Sequence, residues 1–377
     1  YRPGGSAQYI LSKADFSGDE PLHQTMGFIA SSDNHTARPG TGYKEFRRKA
    51  MAEAMGPEAE EWSDLVYGAP EEPSAESRAL DLNGLPAFIV VDLERQASFF
   101  ITGGLVAVHA EKRERKSIWS ALKRREVYGT SGDRMLLWFD LVNGPDGAVP
   151  MGGQLPLSAA PTFRARAVGA FEPKPGCPDW VGATLPEERL EQLCFGECYH
   201  PSDKRRKIDR IDVIRIRRQM TADEKIEELV EDPWKTFDCG DDPTGCTVDF
   251  TDPEFLSAGR EVVYYVRAVQ EPTPTVNGRN LRCDDTPEGE KCRPCYADWR
   301  VASDDDCLAP AAERAWSSPL FLTPAPPKVV PAEASPDGDA AGAAPAEGSS
   351  ADAPAAAPGA ASPDAGTAGE PGGDGVR

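Results

Sequence analysis

Short apolar runs separated by polar loops dominate the first part of the chain. Three such segments are "MGFIA" (26–30), "GGLVAVHA" (103–110) and "RMLLWFDLV" (134–142). They are too short for typical helices and are followed by Ser, Glu and Asn, respectively. Such runs are typical of buried strands. They predict at least three strands before residue 148, of which the first ends directly before two serines.

Helix-like segments lie between these runs. The stretches "QYILSKA" (8–14), "YKEFRRKAMAEAM" (43–55) and "RKSIWSALKRREVYG" (115–129) have helical composition, and the last carries basic residues where a helix dipole favours them. The run "PAFIVVDL" (86–93) fits a strand or the start of a helix. Strands that alternate with helices predict an α/β layer or barrel over residues 1–148.

The pattern changes after residue 148. The segments "PTFRARAVGAF" (161–171), "DRIDVIRIRR" (209–218) and "REVVYYVRAVQ" (260–270) alternate apolar and polar positions between Pro-rich and Cys-rich loops. In the last segment the side chains of one face are those of Val262, Tyr264, Val266 and Ala268. This pattern predicts an antiparallel β-sandwich-like domain over residues 149–323.

One short helix is expected inside this second domain. Thr221 can cap the segment "TADEKIEELV" (221–230), and Glu224 lies three residues later, as in a capping box. From residue 324 to 377 the chain contains mainly Ala, Pro, Gly, Ser and Asp, without an aromatic residue. That composition cannot bury enough apolar surface to order the chain, so we predict a disordered tail.

Composition narrows the class of partner. The chain has 377 residues and a net charge of -21, which argues against nucleic acid as a partner because phosphate binding needs a basic surface. No apolar run approaches the roughly 20 residues of a membrane span. The chain begins at Tyr1 without the features of a signal peptide, and we interpret its start as processed or cut.

All nine cysteines lie between residues 177 and 307, in loops rich in Gly, Pro, Asp and Lys. Cysteines in such loops predict disulfides and therefore a periplasmic or extracellular location. An odd number leaves one cysteine free or paired outside the chain.

Asp33 and His35 follow the apolar run 26–30 and are the main candidates for chemistry. In an extended chain, residues i and i+2 point to the same side, so a carboxylate and an imidazole would project together. This pair of ligand types suits a divalent metal ion. The alternative is an aspartate that caps the next turn beside a solvent-exposed histidine.

The stretch "GFIASSDNHTARPGTGYKE" resembles the late metal-binding motif of the PHP superfamily (polymerase and histidinol phosphatase), in which Asp-x-His ends a barrel strand. Four further stretches resemble an uncharacterised bacterial branch, number 3604 among the domains of unknown function: "GGLVAVHAE", "IWSALKRREVYGTSGDRM", "YYVRAVQEPTP" and "ERAWSSPLFLTP". The resemblance extends from about residue 26 to residue 323.

The resemblance implies the C-terminal part of a distorted (βα)7 barrel, and a metal-dependent hydrolase that acts on a phosphoester or a related ester or amide of a small-molecule substrate. Asp33 and His35 alone fall on the superfamily's ligand motif, where they would bind Zn, Mn or Fe. The chain contains no H-x-H, which the superfamily places near the start of the barrel. We therefore expect this chain to be the C-terminal portion of a longer protein and inactive by itself.

The other histidines and the late cysteines offer weaker candidates. For His109, at the end of a predicted strand, we favour a packing or hydrogen-bonding role over a ligand role. His23 is expected to be solvated, and His200 lies in a loop beside Cys198. A zinc site is an alternative to disulfides for the cysteines of the C-terminal loops, which are Cys283, Cys292, Cys295 and Cys307.

A function of a different class remains open. The barrel would then be a relic, and the disulfide-containing sandwich would be a non-catalytic exported binding or surface module.

Overall fold

A computed structural model describes residues 6–31, 46, 59–67, 103–276, 282–293, 295, 299–302 and 304–326. The predicted helix 43–55, apart from Phe46, and the uncertain run 86–93 lie outside these residues. So does the predicted tail from residue 327 onwards. Within the described part, strands are more common than helices, and the fold is a mixed α and β structure.

In chain order the strands are β1 (Ala14–Asp15), β2 (Leu22–His23), β3 (Leu105–Val108), β4 (Val127–Thr130), β5 (Leu136–Leu141), β6 (Val149–Pro150), β7 (Gln154–Leu157), β8 (Thr162–Val168), β9 (Phe171–Pro173), β10 (Pro201–Arg205), β11 (Ile208–Arg217), β12 (Val230–Asp238), β13 (Cys246–Thr251), β14 (Val262–Val276), β15 (Arg282–Thr286), β16 (Gly289–Arg293), β17 (Leu308–Ser317) and β18 (Leu320–Pro324). The helices are α1 (Ala7–Ser12), α2 (Glu60–Tyr67), α3 (Arg115–Arg124), α4 (Asp179–Gly182) and α5 (Glu187–Cys194), and a 3₁₀ turn covers Ile226–Glu228.

Two sheets form the body of the described structure. The large sheet has eight strands in the order β12-β11-β14-β17-β4-β3, with β18 beside β14 and β7 beside β18. The small sheet has four strands in the order β13-β8-β5-β6. Neighbouring strands of both sheets are antiparallel except for the pair β7 and β18.

The main core lies between these sheets. From the large sheet it takes Val262, Tyr264, Val266 and Ala268, which confirms the face predicted from the sequence. From the small sheet it takes alternate residues of β5 and β8, and the Phe163 ring lies 4.7 Å from that of Tyr264. Alternation with period two therefore places one face of each sheet in a shared apolar layer, as in a β-sandwich.

A second, smaller core covers the opposite face of the large sheet. Its fully buried members are Leu11, Ile214, Ile216, Val263, Tyr265 and Phe321. The N-terminal segment closes this face. Ser12 Oγ donates a hydrogen bond to the Arg217 carbonyl, and the buried Arg218 guanidinium donates to the carbonyl of Leu11.

The described residues do not form a closed barrel. The runs that form β3 and β5 were predicted as strands of a βα barrel, and residues 127–129 as the end of a helix. In the structure β3, β4 and β5 are all strands, and each pairs only with antiparallel neighbours. A Schellman motif at left-handed Arg125 ends α3 and reverses the chain, so that β4 returns antiparallel to β3. The predicted domain boundary at residue 148 falls between β5 and β6, which are paired strands of the small sheet.

The predicted helix over 221–230 is wrong. Glu224 accepts the backbone N–H of Met220 at 2.6 Å, as a capping carboxylate would, but only one 3₁₀ turn follows. Val230 then pairs with Ile216 across β12 and β11. Cross-strand pairing at the edge of the large sheet thus outweighs the helix propensity of this segment.

Candidate functional site

The predicted ligands Asp33 and His35 lie outside the described residues, so the structure locates only the chain that leads to them. That chain ends at Ser31. The run Met26–Ala30, predicted as a buried strand, is not in a strand, and Ile29 is 68% exposed. Among the described residues, no strand pairs with this run.

Two contacts fix this segment on the sheet. The Phe28 N–H donates a hydrogen bond to Ser318 Oγ at 2.9 Å. The Phe28 ring lies edge-on to Tyr265, with centroids 5.1 Å apart. Met26 and Phe28, two residues apart, both pack against the smaller core. These contacts therefore hold the segment on the large sheet, although residues 26–30 are not part of a strand.

Two glycines allow the segment to approach the sheet. A Cβ on Gly104 would lie 2.6 Å from the Ser31 carbonyl oxygen, and a Cβ on Gly129 would lie 3.0 Å from Ala30 Cβ. Contacts under 3 Å to backbone are not tolerated, so Gly104 must remain glycine for Ser31 to keep this position. The sequence motif Asp-x-His thus begins two residues after a point that is held against the start of β3.

A largely buried polar cluster lies beside Gly132. We call Ser131, Asp133, Gln270, Thr275 and Glu313 the Glu313 cluster. Glu313 accepts hydrogen bonds from Ser131 Oγ and, at 3.1 Å, from Thr275 Oγ1. Asp133 accepts a hydrogen bond from the Gln270 side-chain amide, whose oxygen accepts the N–H of Ala170. Neutral donors therefore contribute to stabilising both carboxylates, and Asp133 also lies 4.0 Å from the Nε of Arg206.

Gly132 lies between Glu313 and Gly103, the residue before Gly104. It has a φ of +148°, and a Cβ there would lie 2.9 Å from the Gly103 carbonyl oxygen and 3.8 Å from Glu313 Oε2. Sequence analysis missed these carboxylates because they lie about 180 residues apart in the chain. One signal was available, since Glu313 falls on the same alternate face of β17 as buried Ala315 and Ser317.

A second buried network surrounds Arg215, which is 4% exposed. Its guanidinium contacts Glu231 at 2.6 Å and Asp252 at 3.0 Å, and it lies 4.4 Å from the centre of the Trp234 ring. Asp252 also accepts a hydrogen bond from the Tyr264 hydroxyl at 2.7 Å. A cavity of about 250 Å³ opens beside these residues.

Carboxylates surround the Arg215 charge, since Glu254 also contacts its guanidinium at 3.0 Å. Burial disfavours the charged form of Arg215, but the hydrogen bonds that it donates to Glu231 and Asp252 outweigh that effect and raise its pKa. Burial and the neighbouring Asp252 raise the pKa of Tyr264. An arginine that is already paired has no charge to offer an anionic ligand, so this network acts as a structural link between sheets.

The histidines that the structure describes have packing roles. His109 Nε2 donates to the Leu137 carbonyl at 2.8 Å, and its ring lies 5.4 Å from that of Tyr128, which confirms the favoured interpretation. His23, expected to be solvated, is half-buried in β2. Its Nε2 lies 2.8 Å from the Gln219 carbonyl oxygen, and burial lowers its pKa.

Three disulfides confirm the expectation from the cysteines: Cys177–Cys198, Cys239–Cys246 and Cys295–Cys307. The last pair removes two of the four thiolates that the zinc alternative requires. Cys283 and Cys292 face each other in the β15–β16 hairpin, though their side chains lie outside the described residues. Disulfides are consistent with an oxidising, extracellular environment.

Comparisons with known proteins add one match. A family model described as "Protein of unknown function (DUF3604)" matches residues 11–172. Searches of curated proteins and of solved structures found no match. In the part of the chain that the structure describes, no helix is long and apolar enough to cross a membrane.

Proposed function

We propose that this chain belongs to an exported, PHP-like metal-dependent hydrolase that cleaves a phosphoester or a related ester or amide bond. Asp33 and His35 would be two ligands of its metal centre. The carrying observation is that the Asp-x-His motif begins two residues after Ser31, which Gly104 holds against the start of β3. The family match over residues 11–172 includes both features.

The donor set suits the proposed metal. One carboxylate and one imidazole are ligands that Zn, Mn and Fe accept, and a hydrolytic centre needs at least one ligand more. When bound, such an ion supplies Lewis acidity and lowers the pKa of water. On the protein side, the fixed position of Ser31 restricts where Asp33 and His35 can reach, which limits the entropy lost when they bind an ion.

Metal content tests the proposal. The protein would be expressed from its complete open reading frame, and bound Zn, Mn and Fe would be measured by mass spectrometry for the wild type and for the double variant Asp33→Ala, His35→Ala. We expect the double variant to lose most of the bound metal. Hydrolysis of bis(p-nitrophenyl) phosphate, a generic phosphodiester, should decrease in parallel.

A matched control removes the same residue types from the same part of the chain. Asp19→Ala, His23→Ala changes an exposed aspartate and the histidine that bonds to Gln219, and should retain the wild-type metal content. Equal metal content in the wild type and the Asp33, His35 variant would remove the central claim. Far-UV circular dichroism would show whether each variant is folded.

A second candidate is a non-catalytic exported binding module. It is favoured by a groove of about 950 Å³ beside β7, with Lys123 and Arg125 at one side and Met151 and Leu155 along its wall. In the described structure β7 pairs only with β18, so its other edge is open for an added strand. Absence of both metal and hydrolysis from the complete protein would favour this candidate.

A further inference from the structure

Three cysteines meet in the segment between β9 and β10, a region that the proposed function does not use. Cys177 precedes α4, Cys194 is the last residue of α5, and Cys198 follows four residues later. Cys177 and Cys198 form a disulfide, and Cys194 is free. The Cys194 sulfur lies 3.4 Å from that of Cys198 and 4.0 Å from that of Cys177. We call these residues the cysteine triad.

The end of α5 brings the triad together. Phe195 and Gly196 both have positive φ, at 50° and 72°, and the Phe195 N–H bonds to the Glu191 carbonyl, so the chain reverses directly after Cys194. Cys198 is thereby returned beside the helix end. The buried Glu197 accepts the Gly176 N–H at 2.8 Å, which ties the loop of Cys198 to that of Cys177.

The free thiol of Cys194 is partly exposed and lies beside the Cys177–Cys198 disulfide. All three members of the triad are only partly buried, so solvent and small reagents can reach them. The Cys194 thiol donates to the Leu190 carbonyl at 3.3 Å. Reactive cysteines occupy partly exposed positions of this kind, whereas structural thiols are buried and inert.

We propose that the cysteine triad is a thiol–disulfide exchange site, whose substrate class is a disulfide and whose first substrate is its own Cys177–Cys198 bond. The Cys194 thiolate attacks the Cys198 sulfur, the nearer of the two, and a Cys194–Cys198 bond forms. The Cys177–Cys198 bond breaks, and its electron pair leaves on Cys177, which takes a proton from solvent. The exchange needs no oxidant or reductant, because one disulfide and one thiol are present before and after.

Exchange changes which surface carries the free thiol. Before the step the thiol lies at the end of α5, and after it the thiol lies in the loop before α4, no longer tied to Cys198. The Cys239–Cys246 disulfide serves as an internal control for exchange. Among the described residues the single free cysteine is Cys194, which belongs to the triad.

Trapping of free thiols tests the proposal on the complete protein. The protein, purified without reductant, would be held at pH 8 and then labelled with N-ethylmaleimide, and the labelled sites and disulfides would be mapped by mass spectrometry. Digestion after Glu197 separates Cys194 from Cys198. We expect label on both Cys194 and Cys177, with Cys194–Cys198 linked peptides, and a larger Cys177 share at pH 8 than at pH 5 because exchange requires the thiolate.

Three outcomes decide the matter. Label confined to Cys194 at both pH values overturns the proposal. The proposal is also overturned if all three cysteines are thiols that become labelled only after a chelator releases stoichiometric zinc. The triad would then be a metal site instead. Label on Cys177, with the Cys239–Cys246 pair unlabelled throughout, supports it.

A variant gives an independent measurement. Cys177→Ser leaves two thiols, those of Cys194 and Cys198. With glutathione disulfide as the oxidant we expect them to link, so that labelling falls from two thiols before oxidation to none after it. Two thiols that stay labelled, or that each carry glutathione without linking, would contradict the proposal. The wild-type mapping remains decisive if this variant does not fold.

Discussion

The carbonyl oxygen of Ser31 lies where a Cβ on Gly104 would be only 2.6 Å away. This approach holds the N-terminal segment on the large sheet at the last described residue before the Asp-x-His motif. Gly103, the neighbour of Gly104, in turn lies against Gly132 and so close to Glu313. Because Gly104 has no side chain, Ser31 can lie against the start of β3, two residues before the first candidate ligand.

Gly104→Ala should destabilise the protein by about 1–3 kcal/mol, since the new methyl group meets backbone that cannot move without breaking the Phe28 anchor. Urea unfolding measures the loss. Gly240→Ala is the matched control, because nothing lies within 4 Å of a Cβ at that position. Equal stability of the two variants would contradict the close approach.

Removal of a carboxylate charge from the Arg215 network should lower the stability of the folded protein. Asp252→Asn leaves a buried guanidinium and the Tyr264 hydroxyl without their shared carboxylate, and we expect a loss of about 3 kcal/mol. Asp249→Asn breaks the Arg164–Asp249 pair, whose side chains are 55% and 52% exposed, and should change stability little. If thermal unfolding showed similar losses for both variants, the network would not have the structural role given to it.

His23 should make stability depend on pH. Its pKa is lowered by burial in the folded state, so the unfolded chain binds the proton more readily. Stability from this group is present above the ordinary histidine pKa of about 6.5 and is lost as pH falls through that value towards the folded pKa. His23→Gln should therefore lose less stability than the wild type between pH 7 and pH 5, as measured by urea unfolding. Parallel pH profiles would show that His23 does not titrate in this way.

The Cys239–Cys246 disulfide joins the end of β12, in the large sheet, to the start of β13, in the small sheet. Closing so short a loop in the unfolded chain is worth about 2–3 kcal/mol. Cys239→Ser, Cys246→Ser should lose this amount in thermal or urea unfolding. The wild type in excess reductant should lose at least as much, and a reductant-insensitive wild type would indicate that the disulfide does not form.

The individual strands of the second half could be predicted because alternation is a local property. The face formed by Val262, Tyr264, Val266 and Ala268 follows from a period of two. Helix α3 was predicted for a similar reason, with a period of 3.6 and basic residues in its last turn. The Asp33 and His35 assignment stays a prediction, as does the metal.

Which strands pair could not be predicted locally. The sequence pattern assigned residues 127–129 to the end of a helix in the first domain and β17 to a later domain, yet Gly129 of β4 pairs with Trp316 of β17. A short apolar run fits a parallel or an antiparallel neighbour equally well. The left-handed turn at Arg125 decides the direction of β4, and positive φ at a non-glycine residue has little signature in sequence.

The sequence by itself determined β8, β11, β14, α3 and the presence of disulfides, because each depends on spacing or residue type along a short stretch. The same local signals were wrong for the run 26–30, which is not a strand, and for β4, whose residues fell in a predicted helix. Only the tertiary structure decided that Thr275 meets Glu313, that Arg215 meets Asp252, and that Cys194 lies beside the Cys177–Cys198 bond. Each of these contacts joins residues whose separation carries no periodic signal. They form because the two sheets bury a common apolar layer, and that burial brings distant polar groups together.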